Sequence, residues 1–181
     1  AACFGFEISL YTTINKYLVD RYKLDFNQAY KIPIIYAFIN LISRPLGGLI
    51  SDYNFENYNL NKKIKVSILV TFLLGITILF YTFYILENKC NKFCLDTFDT
   101  NTRLILLLII VLCNINEGTI FGLFPHLSNN LGLSTGFISS VGLLGGVIGN
   151  LLFTSNIENL NLYFFGFSNI CIGFLLVMYL F

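Results

Sequence analysis

A single arginine in the middle of an apolar segment is the residue best suited to binding chemistry. Arg44 lies in the sequence LISRPLGGLISD, eight residues before Asp52, where the apolar segment ends. If the segment is helical, these residues place the guanidinium about 12 Å from the polar end. A guanidinium is planar and permanently charged, and it can hold a flat oxyanion through two parallel hydrogen bonds. Arg44 is therefore the main candidate for an anion-binding residue, and the alternative is an internal ion pair that joins two helices.

A glutamate in a second apolar segment has the spacing to be the neighbour of this arginine. Glu117 lies eight residues before Pro125, so its depth within its own helix matches that of Arg44. If the two charges pair, Glu117 serves as a gate or a counter-charge to the arginine. If they do not, Glu117 is neutral and hydrogen-bonded within the protein.

A third charged residue lies close to the beginning of the chain, between aromatic side chains. Glu7 follows Phe4 and Phe6, whose rings could wall a small substrate-binding cavity or could pack against lipid and neighbouring helices. The candidates for coupling or gating are accordingly Glu7, Glu117 and Asp52.

Glycines recur at a spacing of four residues near the end of the chain. The pairs are Gly142 with Gly146 and Gly145 with Gly149, which leaves one face of a helix nearly bare. Such a face allows another helix to approach closely. It could also slide during a conformational change and bring backbone close to a small substrate, and the two roles are compatible.

Long apolar helices must position these residues. Of the 181 residues, 56% are hydrophobic and only 12% are charged, and the mean hydropathy is +0.73. Soluble domains carry about 25% charged residues, so this composition predicts a membrane protein. Polar clusters divide the chain into six segments, each of which must be a helix because lipid leaves no partner for unpaired backbone groups. The predicted all-α bundle has spans at about 1–19, 32–50, 64–86, 103–124, 135–154 and 162–181.

Several other classes of function have no residues to support them. A net charge of +1 offers no basic surface for nucleic acid. We find no nucleophile, redox or phosphate-binding arrangement, and we expect neither an enzyme nor a cofactor. Cys90 and Cys94 share one loop and could form a disulfide, but without histidines they make a poor metal site.

Four segments, in order along the chain, resemble the carboxyl-terminal half of a nitrate/nitrite porter of the major facilitator superfamily, in particular its high-affinity branch. Phe4–Glu7 is similar to the start of the family's seventh helix, and Asn40–Asp52 to its eighth helix. Glu117–Pro125 is similar to the tenth helix, and Gly136–Asn150 to the glycine-rich nitrate motif of the eleventh. The chain begins at Ala1 within apolar sequence, and we expect residues 1–181 to be one half of a longer protein.

The resemblance implies a twelve-helix transporter in which two six-helix halves give alternating access to a site between them. Arg44 would pair with an arginine of the missing amino-terminal half to hold nitrate or nitrite. The resemblance also implies that the substrate passage is lined or flanked by Gly142, Gly145, Gly146 and Gly149. The expected partners are therefore the anion, the lipid bilayer and the missing half, and the expected location is the plasma membrane.

Two other functions remain compatible with the same residues. The chain could belong to a carrier of another small anion, such as a monocarboxylate, because a buried arginine can also bind a carboxylate. It could instead be a membrane subunit that transports nothing and uses its helices only for association. The residues leave symport and antiport equally open.

Overall fold

The fold of the chain is entirely helical where the structure describes it. The computed structural model describes residues 2–57, 60–88, 100–127, 130–154 and 158–180, and these ranges contain no strand. The all-α class predicted from composition is therefore confirmed for them. The helices are α1 (Ala2–Tyr22), α2 (Phe26–Ala29), α3 (Lys31–Asn57), α4 (Leu60–Asn88), α5 (Thr100–Leu127), α6 (Leu131–Thr154) and α7 (Glu158–Leu180).

Each long helix overlaps one of the apolar segments found in the sequence, and several extend past it. The largest extension is in α3, which continues to Asn57 although its apolar sequence ends near residue 50. Hydropathy locates the part of a helix that lies in lipid, whereas the backbone hydrogen bonds continue into polar sequence. The short helix α2 separates α1 from α3, and Asp25 begins it by accepting a hydrogen bond from the backbone N–H of Phe26 at 2.9 Å.

Four stretches of the described chain are long and apolar enough to cross a membrane. They are Phe26–Tyr53, Leu60–Tyr84, Thr100–His126 and Leu131–Leu152. Helix α1, which contains the first predicted span, is not among these four stretches because Glu7, Asn15 and Lys16 lower its hydropathy. In α7 the apolar stretch within the described residues is the shorter Phe164–Leu175. The chain thus has the helices of an integral membrane protein.

The long helices pack mainly as three pairs: α3 against α5, α4 against α7, and α1 against α6. In the second pair, Gly173 contacts Phe72 while Gly166 contacts Leu79, so α4 and α7 run antiparallel. In the first pair, Arg44 and Gly118 are neighbours, and farther along both helices Gly122 contacts Ser51. Helices α3 and α5 are therefore parallel, and equal distances from their polar ends correspond to equal depths.

The apolar core that holds these pairs together runs along α1, α4 and α5. Phe6, Ile14 and Leu18 of α1 are fully buried, and so are Ile78 of α4 and Ile110 of α5. Because lipid is as apolar as these side chains, their packing stabilises the bundle through van der Waals contacts rather than through removal from water. This core fixes the rotation of α1 about its axis. The rotation in turn determines the direction in which Glu7 points.

Candidate functional site

The crossing of α3 and α5 positions the candidate anion-binding residue. A Cβ atom on Gly47 would lie 3.0 Å from the Cα of Ile115, and a Cβ on Gly118 would lie 3.1 Å from the Cα of Gly47. Both distances are tighter than ordinary packing, so only glycine allows the two backbones to approach this closely. Arg44 precedes Gly47 by one turn, and Glu117 directly precedes Gly118. The close crossing therefore brings the two charged side chains together.

The guanidinium of Arg44 pairs with two carboxylates. Its Nη2 donates to Oε1 and Oε2 of Glu7 at 2.7 and 3.0 Å, and it also donates to Oε2 of Glu117. Asn40 Nδ2, one turn earlier on α3, donates to Glu7 Oε1 at 3.5 Å. Arg44 and Glu117 are neighbours, as their equal depth predicts. The structure adds Glu7, which the sequence identified as a buried candidate without assigning it a partner.

The three charged side chains differ in how far they are exposed. The side chain of Glu7 is 8% exposed and that of Glu117 is 3% exposed, whereas that of Arg44 is 40% exposed. In the described part of the chain, Arg44 Nε and Glu117 Oε1 have no hydrogen-bond partner. The two buried carboxylates hold the arginine, whose side chain as a whole is partly exposed and whose buried Nε has unused donor capacity.

Aromatic residues surround this cluster on α1, but their rings have different environments. Phe6 is fully buried and packs against Phe165, with ring centroids 5.2 Å apart. Phe4 meets Phe121 edge to face at 6.1 Å. The ring of Phe4 also lies where a Cβ on Gly142 would be, so this ring packs directly on the glycine. The rings of Phe4 and Phe6 therefore pack between helices, and their role in substrate binding stays a prediction.

The glycine-rich face of α6 lies against α1. A Cβ on Gly5 would come within 2.5 Å of the backbone carbon of Gly145, so the two helices are in backbone contact there. A Cβ on Gly146 would lie 2.9 Å from Ile8, and a Cβ on Gly149 would lie 2.6 Å from Ser9. This is the close approach that the spacing of four residues predicts. The further prediction that these glycines line a substrate passage stays a prediction.

Asp52, the third candidate for gating, lies about 12 Å farther along α3 than Arg44 and has its own partner. Lys63 Nζ, near the beginning of α4, donates to Asp52 Oδ1 at 2.8 Å. The lysine side chain is completely buried, while that of the aspartate is largely exposed. The pair joins the end of α3 to the beginning of α4, and a gating role for it stays a prediction.

A buried network of polar side chains around Cys3 was not predicted from the sequence. Cys3 Sγ donates to Asn169 Oδ1 at 2.8 Å and accepts from Asn116 Nδ2 at 2.9 Å. Thr71 Oγ1 donates to Asn116 Oδ1 at 2.9 Å. The thiol of Cys3 therefore links α1, α5 and α7. Asn116, which directly precedes Glu117 in an apolar helix, was the available signal. Cys90 and Cys94 lie outside the described residues.

Comparison with known proteins finds curated relatives that are nitrate transporters. The chain is 25% identical over 156 residues to the high affinity nitrate transporter 2.5 of Arabidopsis thaliana, which covers 83% of the chain and 28% of that protein. It is 27% identical over 146 residues to nitrate transporter 2.2 of Chlamydomonas reinhardtii, which covers 80% of the chain and 26% of that protein. No family profile and no solved structure matches the chain.

These relatives are named as transporters and not as enzymes, and the similarity extends over most of the chain. The chain spans about a quarter of the length of the curated relatives it matches. It is therefore similar to part of a high-affinity nitrate transporter, in agreement with the resemblance found in its motifs.

Proposed function

We propose that this chain is one half of a membrane transporter for nitrate or nitrite, in which Arg44 binds the anion. The observation that carries the proposal is the partly exposed Arg44 side chain, whose guanidinium pairs with two buried carboxylates at the α3–α5 crossing. The nitrate transporters that are similar to most of the chain support the choice of substrate.

The charges of the site explain why a second cationic group is needed. With both carboxylates ionised, the cluster of Glu7, Arg44 and Glu117 carries a net charge of −1, which repels an anion. Binding becomes favourable when the missing amino-terminal half adds an arginine, or when one carboxylate is neutralised or released from Arg44. The exposed part of the Arg44 side chain is the place where that second group and a flat anion can meet it.

The proposed transport cycle is alternating access between two six-helix halves of a major facilitator fold, in the plasma membrane. Helix α6 packs on α1 through glycines, and α1 carries Glu7, so a shift along this contact moves a carboxylate relative to Arg44. Glu7 and Glu117 are the proposed coupling residues, and the Asp52–Lys63 pair is the proposed gate at the other end of α3.

One observation favours a second candidate function, in which Arg44 only joins helices of a subunit that transports nothing. Its Nη2 contacts carboxylates of two other helices, as an internal ion pair would. The two functions differ in their response to Arg44→Lys. A lysine can keep both ion pairs but cannot present two parallel N–H groups to a flat anion.

The test is uptake of isotopically labelled nitrate by cells that express the whole protein carrying this chain. With Arg44→Lys, we expect uptake to fall at least about tenfold, because a hydrogen bond to a charged group contributes about 1.5–3 kcal/mol. Arg21→Lys makes the same exchange near the end of α1 and should leave uptake unchanged. Uptake close to that of the wild type in Arg44→Lys would remove Arg44 from the binding site.

Competition in reconstituted vesicles identifies the anion. Nitrite should compete with labelled nitrate, whereas formate and lactate should compete only weakly if the site is built for a planar inorganic anion. Stronger competition by the carboxylates would assign the chain to a monocarboxylate carrier.

A further inference from the structure

A cavity of about 300 Å³ lies between the first turns of α3 and α5, away from the Arg44 cluster. Its walls are five leucine and isoleucine side chains, and its polar lining residues are Gln28, Lys31 and Arg103. The apolar walls are Leu24, Ile32, Ile35, Leu106 and Leu107. This volume is at the lower end of the roughly 300–1,000 Å³ of small-molecule sites, so the cavity is large enough for the head group of a lipid and part of one acyl chain.

The lining changes from charged to apolar in the same direction on both helices. On α3, Lys31 comes first and Ile35 follows one turn deeper. On α5, Arg103 comes first and Leu107 follows one turn deeper. Because α3 and α5 are parallel, both cations lie at the membrane end and both apolar residues lie toward the interior. This is the polarity of a lipid molecule, with a charged head at the surface and an acyl chain below it.

The local charges select the sign of the head group. The first turns of α3 and α5 contain no acidic residue, and each helix has its positive dipole end at this cavity. Lys31 and Arg103 add two positive charges to those ends. Both cations and both helix ends favour an anionic group between them, while the acidic Asp25 lies six residues before Lys31 at the beginning of α2. A free anion would leave the five apolar side chains unmatched, so an anionic amphiphile fits the whole lining better.

We propose that this cavity binds an anionic phospholipid of the surrounding bilayer. Its phosphate lies between Lys31 and Arg103, its polar linkage lies near Gln28, and one acyl chain follows Ile35 and Leu107. Such a lipid fills the gap between α3 and α5 at the end opposite the Asp52–Lys63 pair. It would stabilise the helix pair that carries Arg44 and Glu117 without touching either residue. The proposal does not depend on which solute the protein transports.

The test compares two lipids with identical acyl chains on the whole purified protein, using native mass spectrometry. Phosphatidylglycerol should be retained in preference to phosphatidylcholine. In the double variant K31Q/R103Q, this preference should fall roughly 25-fold, because each surface cation contributes about a factor of five to binding an anionic lipid. The control K16Q/K23Q removes two exposed cations of the same region that do not line the cavity, and its preference should change less than twofold.

Equal losses in the two double variants would overturn the proposal, because lipid preference would then reflect net charge alone. An unchanged preference in K31Q/R103Q would overturn it as well. Thermal unfolding of both variants establishes that they are folded. A second arm adds glycerophosphoglycerol, which is the head group without acyl chains. Failure to displace phosphatidylglycerol supports a lipid site, whereas displacement at equal concentration would show a site for soluble anions and would contradict the lipid assignment.

Discussion

At the residue scale, the central feature is one guanidinium shared by two carboxylates from different helices. The sequence predicted half of this arrangement, because the equal distances of Arg44 and Glu117 from their polar ends can be counted along the chain. The contact with Glu7 could not be counted in this way. It depends on how α1 is rotated and on which helix it packs against, and the burial of Phe6 and Ile14 decides that rotation.

The two carboxylates set the affinity of Arg44 for an anion, and Glu117→Gln tests this directly. If Glu117 is ionised in the protein, the change removes one negative charge while Glu7 still pairs with the arginine. A unit charge about 4 Å away contributes about 1 kcal/mol even in water, so nitrate should bind about fivefold more tightly or better. Isothermal titration of the whole protein with nitrate measures the effect. Asp20→Asn removes an exposed negative charge near the end of α1 and should leave the affinity unchanged. Weaker binding in Glu117→Gln would show that Glu117 helps to bind the anion.

At the element scale, glycines decide which helices touch and how closely. The spacing of glycines in α6 predicted a close helix contact, and the structure supplies the partner, which is α1. The crossing of α3 and α5 at Gly47 and Gly118 was not predicted. Gly118 and Gly122 are spaced by four residues, but this spacing does not identify the helix that they contact, and Gly47 has no glycine four residues away. Pairing of helices is a property of the fold that hydropathy does not encode.

Adjacent glycines of α3 provide a matched test of the crossing. A Cβ on Gly47 would press on the backbone of Ile115, whereas a Cβ on Gly48 meets no described atom within 4 Å. Gly47→Ala should cost about 1–3 kcal/mol through overpacking and should move Arg44 away from Glu117. Gly48→Ala should be neutral or slightly stabilising, because alanine favours a helix. The melting temperatures of the two variants of the whole protein measure the difference. Equal melting temperatures would contradict the close crossing.

The contact between α1 and α6 offers a second matched pair, with transport as the measurement. Gly149→Ala places a methyl group 2.6 Å from the side chain of Ser9, whereas Gly136→Ala on the same helix meets nothing described within 4 Å. If α6 shifts along α1 during transport, Gly149→Ala should lower the maximal uptake rate severalfold with little change in KM. Gly136→Ala should change neither value. An increase in KM alone would indicate instead that Gly149 lies beside the substrate.

At the scale of the whole molecule, the sequence predicts more of the fold than of the site. Composition and hydropathy were sufficient for the all-helical class and for the approximate position of each long helix. By composition and length alone, α1 is not among the candidate membrane spans because it carries charged and amide side chains, and the pairing of one of them, Glu7, with Arg44 depends on the packing. The buried network around Cys3 was missed for the same reason, since polar residues within apolar helices find partners that only the packing reveals.

The charge of the Arg44 cluster also predicts how the chain behaves without a second half. With both carboxylates ionised, the net charge of −1 opposes anion binding, and the side chain of Arg44 is partly exposed. Residues 1–181 expressed alone should therefore show no saturable nitrate uptake in vesicles, even when circular dichroism shows that they are helical. Supplying the remaining part of the protein in the same vesicles should restore uptake if that part carries the proposed second cationic group. Arg44→Lys in the reassembled protein serves as the control and should remain inactive. Uptake by residues 1–181 alone, at the rate of the whole protein, would mean that one guanidinium is sufficient and that the two carboxylates do not oppose the anion.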